Sequence, residues 1–110
     1  MSKDYKVYFL HIFDSIENIE RFTKGKDKKK FFASKLVQDA VIRNLEIIGE
    51  AANRLPDEFK EKYRQVEWHK IVGLRHRIVH DYFGIDLEII WQILHKDLPQ
   101  FRDALSQIIG

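Results

Sequence analysis

In the segment YKVYFLHIFDSIENIERF, residues 5–22, the side chains of Tyr5, Tyr8, Phe9, Ile12, Phe13, Ile16, Ile19 and Phe22 recur every three or four positions. At 3.6 residues per turn that spacing lines one face of a helix and leaves the charged side chains on the other. Gly25 ends the pattern. A second long helix is expected from about Phe31 to Arg54, with Phe32, Leu36, Val37, Ala40, Val41, Leu45, Ile48 and Ala52 facing inward. Pro56 stops it, because proline lacks an amide donor and clashes with the preceding turn. Between the two, Lys24, Lys26, Lys28, Lys29 and Lys30 surround Asp27, which reads as a solvated connection.

Beyond Pro56 the periods shorten. Asp57 to about Gln65 fits a short helix, and Trp68–Phe83 a further helical segment carrying Ile71, Val72, Leu74, Ile78 and Val79. Gly84-Ile85-Asp86 breaks it, and Asp86 can cap a helix running to about Lys96. Pro99 suits the first turn of a last helix with Phe101, Leu105, Ile108 and Ile109. No segment alternates with the period of a strand. The expected architecture is all-α: a bundle of about five helices, two long and antiparallel with shorter ones across them, forming a single domain over residues 1–110.

Composition narrows the function classes. Of 110 residues, 45% are hydrophobic and 33% charged, which excludes intrinsic disorder. Cysteine is absent, which removes disulfides, thiolate nucleophiles and cysteine-ligated metal sites. No apolar run approaches the roughly 18 residues needed to span a membrane, and the first residues lack a signal-peptide stretch, so a cytoplasmic location is expected. The formal charge of +2 is too small to indicate nucleic-acid binding by itself. Glycine-rich phosphate loops, HExxH and GxSxG are all missing.

The chemistry concentrates in residues 73–83, GLRHRIVHDYF, which hold Arg75, His76, Arg77, His80, Asp81 and Tyr82. Arginine is a permanent cation shaped for phosphate, and histidine exchanges a proton near neutral pH. Phosphodiester cleavage without a metal needs that pair: a proton-transfer group and a stabiliser for an anionic phosphorane. On a straight helix Arg75 and His80 lie about 140° apart. Either the helix is distorted there, or a second copy of the chain completes the site across a twofold axis. Asp81 could orient an imidazole, and Glu46 and Glu50, four residues apart, could line a cleft. The competing reading is a solvated basic face, with His11, His69 and His95 as surface or cap residues and Trp68 and Trp91 as core anchors. The lysine cluster is a soluble loop on the same reading, or a place for backbone contacts if RNA binds.

Arg75-x4-His80-x-Tyr82 resembles the signature of HepT-like toxins, a branch of the HEPN superfamily. Residues 39–51, DAVIRNLEIIGEA, resemble the family's second-helix block, Trp68-x2-Ile71-x-Gly73-Leu74-Arg75 leads into the signature, and Trp91 followed by Asp97-Leu98-Pro99 resembles its tail. His76 departs from the pattern, since many relatives have Asn directly after the arginine. The resemblance implies a dimeric, metal-independent endoribonuclease, the toxin of a type VII-like toxin–antitoxin module, with no cofactor. Its partner would be an MntA-like minimal nucleotidyltransferase antitoxin that transfers AMP from ATP to the tyrosine. By position, Arg75 and His80 would be catalytic and Tyr82 the modified residue, with His76, Arg77, Asp81, Glu46 and Glu50 as supporting candidates. The substrate would be tRNA or mRNA. The alternative is a non-catalytic HEPN module that presents nucleotides or substrates to a nucleotidyltransferase.

Overall fold

The computed structural model describes residues 3–79 and 84–109, and the side chains of 5–79 and 84–108. Two long helices, α1 (Lys3–Thr23) and α3 (Lys35–Arg54), form its centre. Tyr8 reaches Arg54 and Asn18 reaches Asn44, so positions rise along one helix as they fall along the other. The pair is antiparallel, as expected. Phe9, Ile12, Ile16 and Ile19 of α1 are buried against Val41, Leu45, Ile48 and Ala52 of α3. Asn44 sits within this seam. Its Nδ2 donates to Ala40 O at 2.8 Å and its Oδ1 accepts from Asn18 Nδ2 at 3.2 Å, a satisfied buried amide that opposes slippage between the two helices.

The second long helix begins at Lys35 rather than Phe31, and its predecessor is a separate helix, α2 (Lys28–Ala33). Side chains make the break. Asp27 accepts from Lys30 N at 2.8 Å to start α2, and Ser34 accepts from Val37 N at 3.2 Å to start α3. Gln38 Nε2 donates to Phe31 O and Phe32 O at 3.0 and 2.9 Å, covering the carbonyls that α2 leaves open. The expected lysine connection is thus helical from Lys28 onward. Leu36 corrects a second expectation. It lies nine residues before Leu45, half a revolution from the buried stripe, and is 81% exposed.

α4 (Asp57–Lys62) follows Pro56 and places Phe59 between Tyr5, Phe9, Tyr63 and Trp68. Trp68 is buried, packs on Phe101 and donates Nε1–H to Tyr63 O at 3.1 Å, so it is a core anchor. The helical segment expected over 68–83 is not continuous. α5 (Trp68–Val72) stops at Gly73, and α6 (Leu74–Ile78) ends before an extended Val79. Val79 pairs with Ile85 in an isolated antiparallel bridge, and Asp86 N–H donates to Ile78 O at 3.0 Å. Asp86 then caps α7 (Leu87–Gln92), accepting from Glu88 N and Ile89 N.

The break expected between Lys96 and Pro99 is absent. α7 runs through a π-helical turn (Ile93–Asp97) directly into α8 (Leu98–Ile109). Proline at 99 cannot donate to the carbonyl four residues back and crowds it. The wide turn relieves this, with Leu98 N–H reaching Ile93 O, five residues back. The fold is all-α, built from more and shorter helices than the five expected.

Candidate active site

α3 presents Arg43, Glu46, Glu50 and Arg54 at spacings of three and four, one stripe on the face beside the buried one. This stripe forms one wall of a cleft of about 860 Å³. Tyr8 and His11 of α1 stand on one side of it, and His69, Arg75 and His76 of α5 and α6 on the other. Arg75 and His76 point there because Leu74 and Ile78, one turn apart, are buried and fix which side of α6 is inward. Both are exposed.

Gly49 sets how closely α5 approaches α3. A Cβ added at Gly49 would lie 3.2 Å from Ile71 O, a backbone atom that cannot swing away. Gly49→Val is therefore expected to cost about 1–3 kcal/mol through overpacking. It should appear as a lower denaturation midpoint, and an unchanged midpoint would show that α5 moves freely off α3.

The charges of the cleft are mixed. Arg54 donates to Glu50 at 3.1 Å. Glu50 first, then Tyr8, hold the Arg54 guanidinium above its usual range, so that pair is nearly neutral as a unit. Arg43 and Arg75 remain as cations in a cleft that also carries Glu46, so positive charge is in slight excess and a carboxylate acceptor is at hand. Among the described residues no group of three or more His, Asp or Glu could hold a metal ion.

The cleft brings together Arg75, His76, Glu46 and Glu50 of the residues singled out from sequence. Arg77 turns elsewhere, its Nη2 lying 2.6 Å from Oδ2 of Asp97. His80, Asp81 and Tyr82 lie outside the described residues, although both flanks of their segment are defined by the bridge between Val79 and Ile85. The separation of about 140° between Arg75 and His80 was reckoned on a straight helix, and α6 ends at Ile78, between the two positions. Arg43, Arg54, Tyr8, His11 and His69 were not singled out as cleft residues. Arg43 and Arg54 share the spacing of Glu46 and Glu50, a signal present in the sequence, whereas α1 and α5 meet them only through tertiary packing.

Residues 12–108 match the family described as Ribonuclease HepT-like. The chain belongs to the HepT-like ribonuclease family. The match takes in most of α1, the whole cleft wall on α3 and both flanks of segment 80–83. A Methanocaldococcus jannaschii protein whose name joins gamma-glutamylcyclotransferase to a provisional RNase is 46% identical over 99% of this chain and 49% of its own length. The HepT-like chain thus spans about half of that relative. A second M. jannaschii protein, provisionally named an RNase, is 42% identical over 96% of this chain and 98% of its own. A Thermococcus cleftensis protein named "Probable ribonuclease HepT" is 34% identical over 98% of both. No solved structure matches the HepT-like chain. Among its described residues, no helix is long and apolar enough to cross a membrane.

Proposed function

We propose that this chain is a metal-independent endoribonuclease, the toxin of a type VII-like toxin–antitoxin module. The observation that carries the reading is Arg75, exposed on a short helix at the edge of a cleft that favours an anion, five residues before His80. The RNA backbone enters with a phosphate against Arg75. His80 takes the proton of a ribose 2′-hydroxyl, whose oxygen attacks the adjacent phosphorus, or gives a proton to the departing 5′-oxygen. The P–O5′ bond breaks, leaving a cyclic phosphate on one product and a 5′-hydroxyl on the other. Arg75 spreads its charge over the phosphorane oxygens as they become more negative.

Tyr82 is two residues from His80, and its hydroxyl oxygen attacks the α-phosphorus of ATP held by an MntA-like nucleotidyltransferase antitoxin, taking AMP and releasing pyrophosphate. The added phosphodiester and adenosine repel RNA and fill its place. A homodimer in the cytoplasm, acting on tRNA or mRNA as a single HEPN domain, completes the reading.

Cleavage of RNA by the purified chain in EDTA, with a cyclic-phosphate end, tests it. Arg75→Lys is expected to lose most of the activity, because a point charge does not reproduce the planar two-pronged contact of a guanidinium. Equal turnover by the lysine variant would reduce Arg75 to a simple charge. RNA binding without cleavage by the unmodified chain would favour the non-catalytic alternative.

A further inference from the structure

Arg77 belongs to the motif segment but contacts the far end of the chain. Its guanidinium meets Asp97 on the π-helical turn, with the two side chains only 35% and 19% exposed. We propose that this ion pair sets the rotation of α6 and so aims Arg75, making Asp97 and Arg77 positioning residues. The inference rests on the reading of Arg75 given above.

α6 is five residues long and has no side-chain cap at its start, so its own hydrogen bonds cannot hold it. Leu74 and Ile78 anchor it, at 4% and 1% exposure. They lie one turn apart on nearly the same line, and a helix pinned along a line can still rock about it. Arg77 supplies a contact off that line, about 100° from Ile78. Arg75 and His76 project on the cleft side, so any rocking moves them directly.

The other end of the strut is fixed. Asp97 closes a turn whose neighbours Ile93, Leu94 and Leu98 are all buried. Arg77 Nη1 and Asp97 Oδ2 are both buried with no hydrogen-bond partner among the described residues, so the two side chains meet through charge at close range and each is the other's compensation. Removing Asp97 leaves the half-buried Arg77 cation without its counter-charge, and the cation moves toward solvent. Two hydrogen bonds depend on where α6 lies: Val79 N–H to Arg75 O at 3.1 Å, and Asp86 N–H to Ile78 O at 3.0 Å. They flank the segment that carries His80 and Tyr82.

An apolar pair of similar volume can match the stability of a buried ion pair, but it has no preferred direction. The test uses that difference. In Asp97→Asn, amide hydrogen exchange at Val79 and Asp86 is expected to speed about tenfold or more, while Leu45 and Ile48 of α3 keep their protection. RNA cleavage in EDTA should lose about 10–100-fold in kcat with KM within about twofold of wild type. The reciprocal Arg77→Asp/Asp97→Arg variant should regain part of the rate. Arg77→Met/Asp97→Leu should remain folded and stay slow.

Unchanged exchange at Val79 and Asp86 in Asp97→Asn would overturn the proposal, as would wild-type kcat in the stable Met/Leu pair. A rise in KM alone would do the same. If Asp97→Asn does not fold, the Met/Leu pair decides through the same two readouts. If the wild-type chain cleaves no RNA, the proposed function fails, and exchange at Val79 and Asp86 still decides whether the strut holds α6.

Discussion

His80→Ala is expected to leave the helical content and the melting transition of the chain unchanged while RNA cleavage falls by about 10²–10⁴-fold, the range that general acid–base groups supply. The physical reason is local. No other imidazole stands at the same place in the sequence: His76 precedes it by four residues and faces the cleft, and His11 and His69 approach from α1 and α5. Arg75 remains in the variant, so RNA should still bind, with an affinity that weakens as salt rises. Loss should therefore appear in kcat, with KM little moved. Growth arrest on expression should disappear with it. A carefully purified Ala variant that cleaves at the wild-type rate would remove His80 from the mechanism and leave His76 as the next imidazole to test.

The second large effect concerns modification. Co-expressed with a cognate MntA-like nucleotidyltransferase, ATP and magnesium, the wild-type chain is expected to gain the mass of one or more AMP units and to lose its RNase activity. Tyr82→Phe keeps the ring and removes the acceptor oxygen. That variant should gain no mass and should keep cleaving, at least in part, in the presence of the antitoxin. Intact-mass spectrometry reads the outcome directly. An adduct that persists in Tyr82→Phe places the modification on another residue, and a wild type that gains none has no such antitoxin chemistry. Inhibition without an adduct would point to blockade by binding alone.

The two long helices were legible in the sequence because burial alone sets their period. Phe9, Ile12, Ile16 and Ile19 dominate one side of α1, and the polar side chains there, Ser15 and Asn18, are small enough to fit the seam. The short helices were harder to read, since their limits depend on single side chains that bond to the backbone. Ser34 can cap one helix or sit within a longer one, and its hydroxyl on Val37 N decides the matter. Gly73 looked like an interior position of one helix and is instead the joint between two, with its N–H on His69 O. For the cleft, the stripe of Arg43, Glu46, Glu50 and Arg54 could be counted along α3. What stands opposite is a product of tertiary packing, so neither Tyr8 nor His69 carried a local signal. Arg77 is the sharpest case. It shares the motif segment with Arg75, yet its partner Asp97 lies twenty residues away in sequence, and only the folded chain shows which of the two arginines meets the cleft.

The π-helical turn fixes a length as well as a direction. Ile90, Leu94 and Leu98 are spaced by four, and Phe101 and Leu105 continue the buried row. Each step of four in an ordinary α-helix overshoots a full revolution by about 40°, so an unrelieved row would wind away from the core. The widened turn at Ile93–Asp97 absorbs that excess and keeps both halves of the rod in phase. Losing one residue there would heal the hydrogen-bond ladder, and because five residues of the wide turn and four of an ordinary α-helix cover nearly the same rotation, Phe101 and Leu105 would still face the core. The interval from Trp91 to Phe101 thus already holds its one spare residue, so a deletion within the turn is absorbed, whereas a further insertion would turn Phe101 and Leu105 by about 100° away from the core.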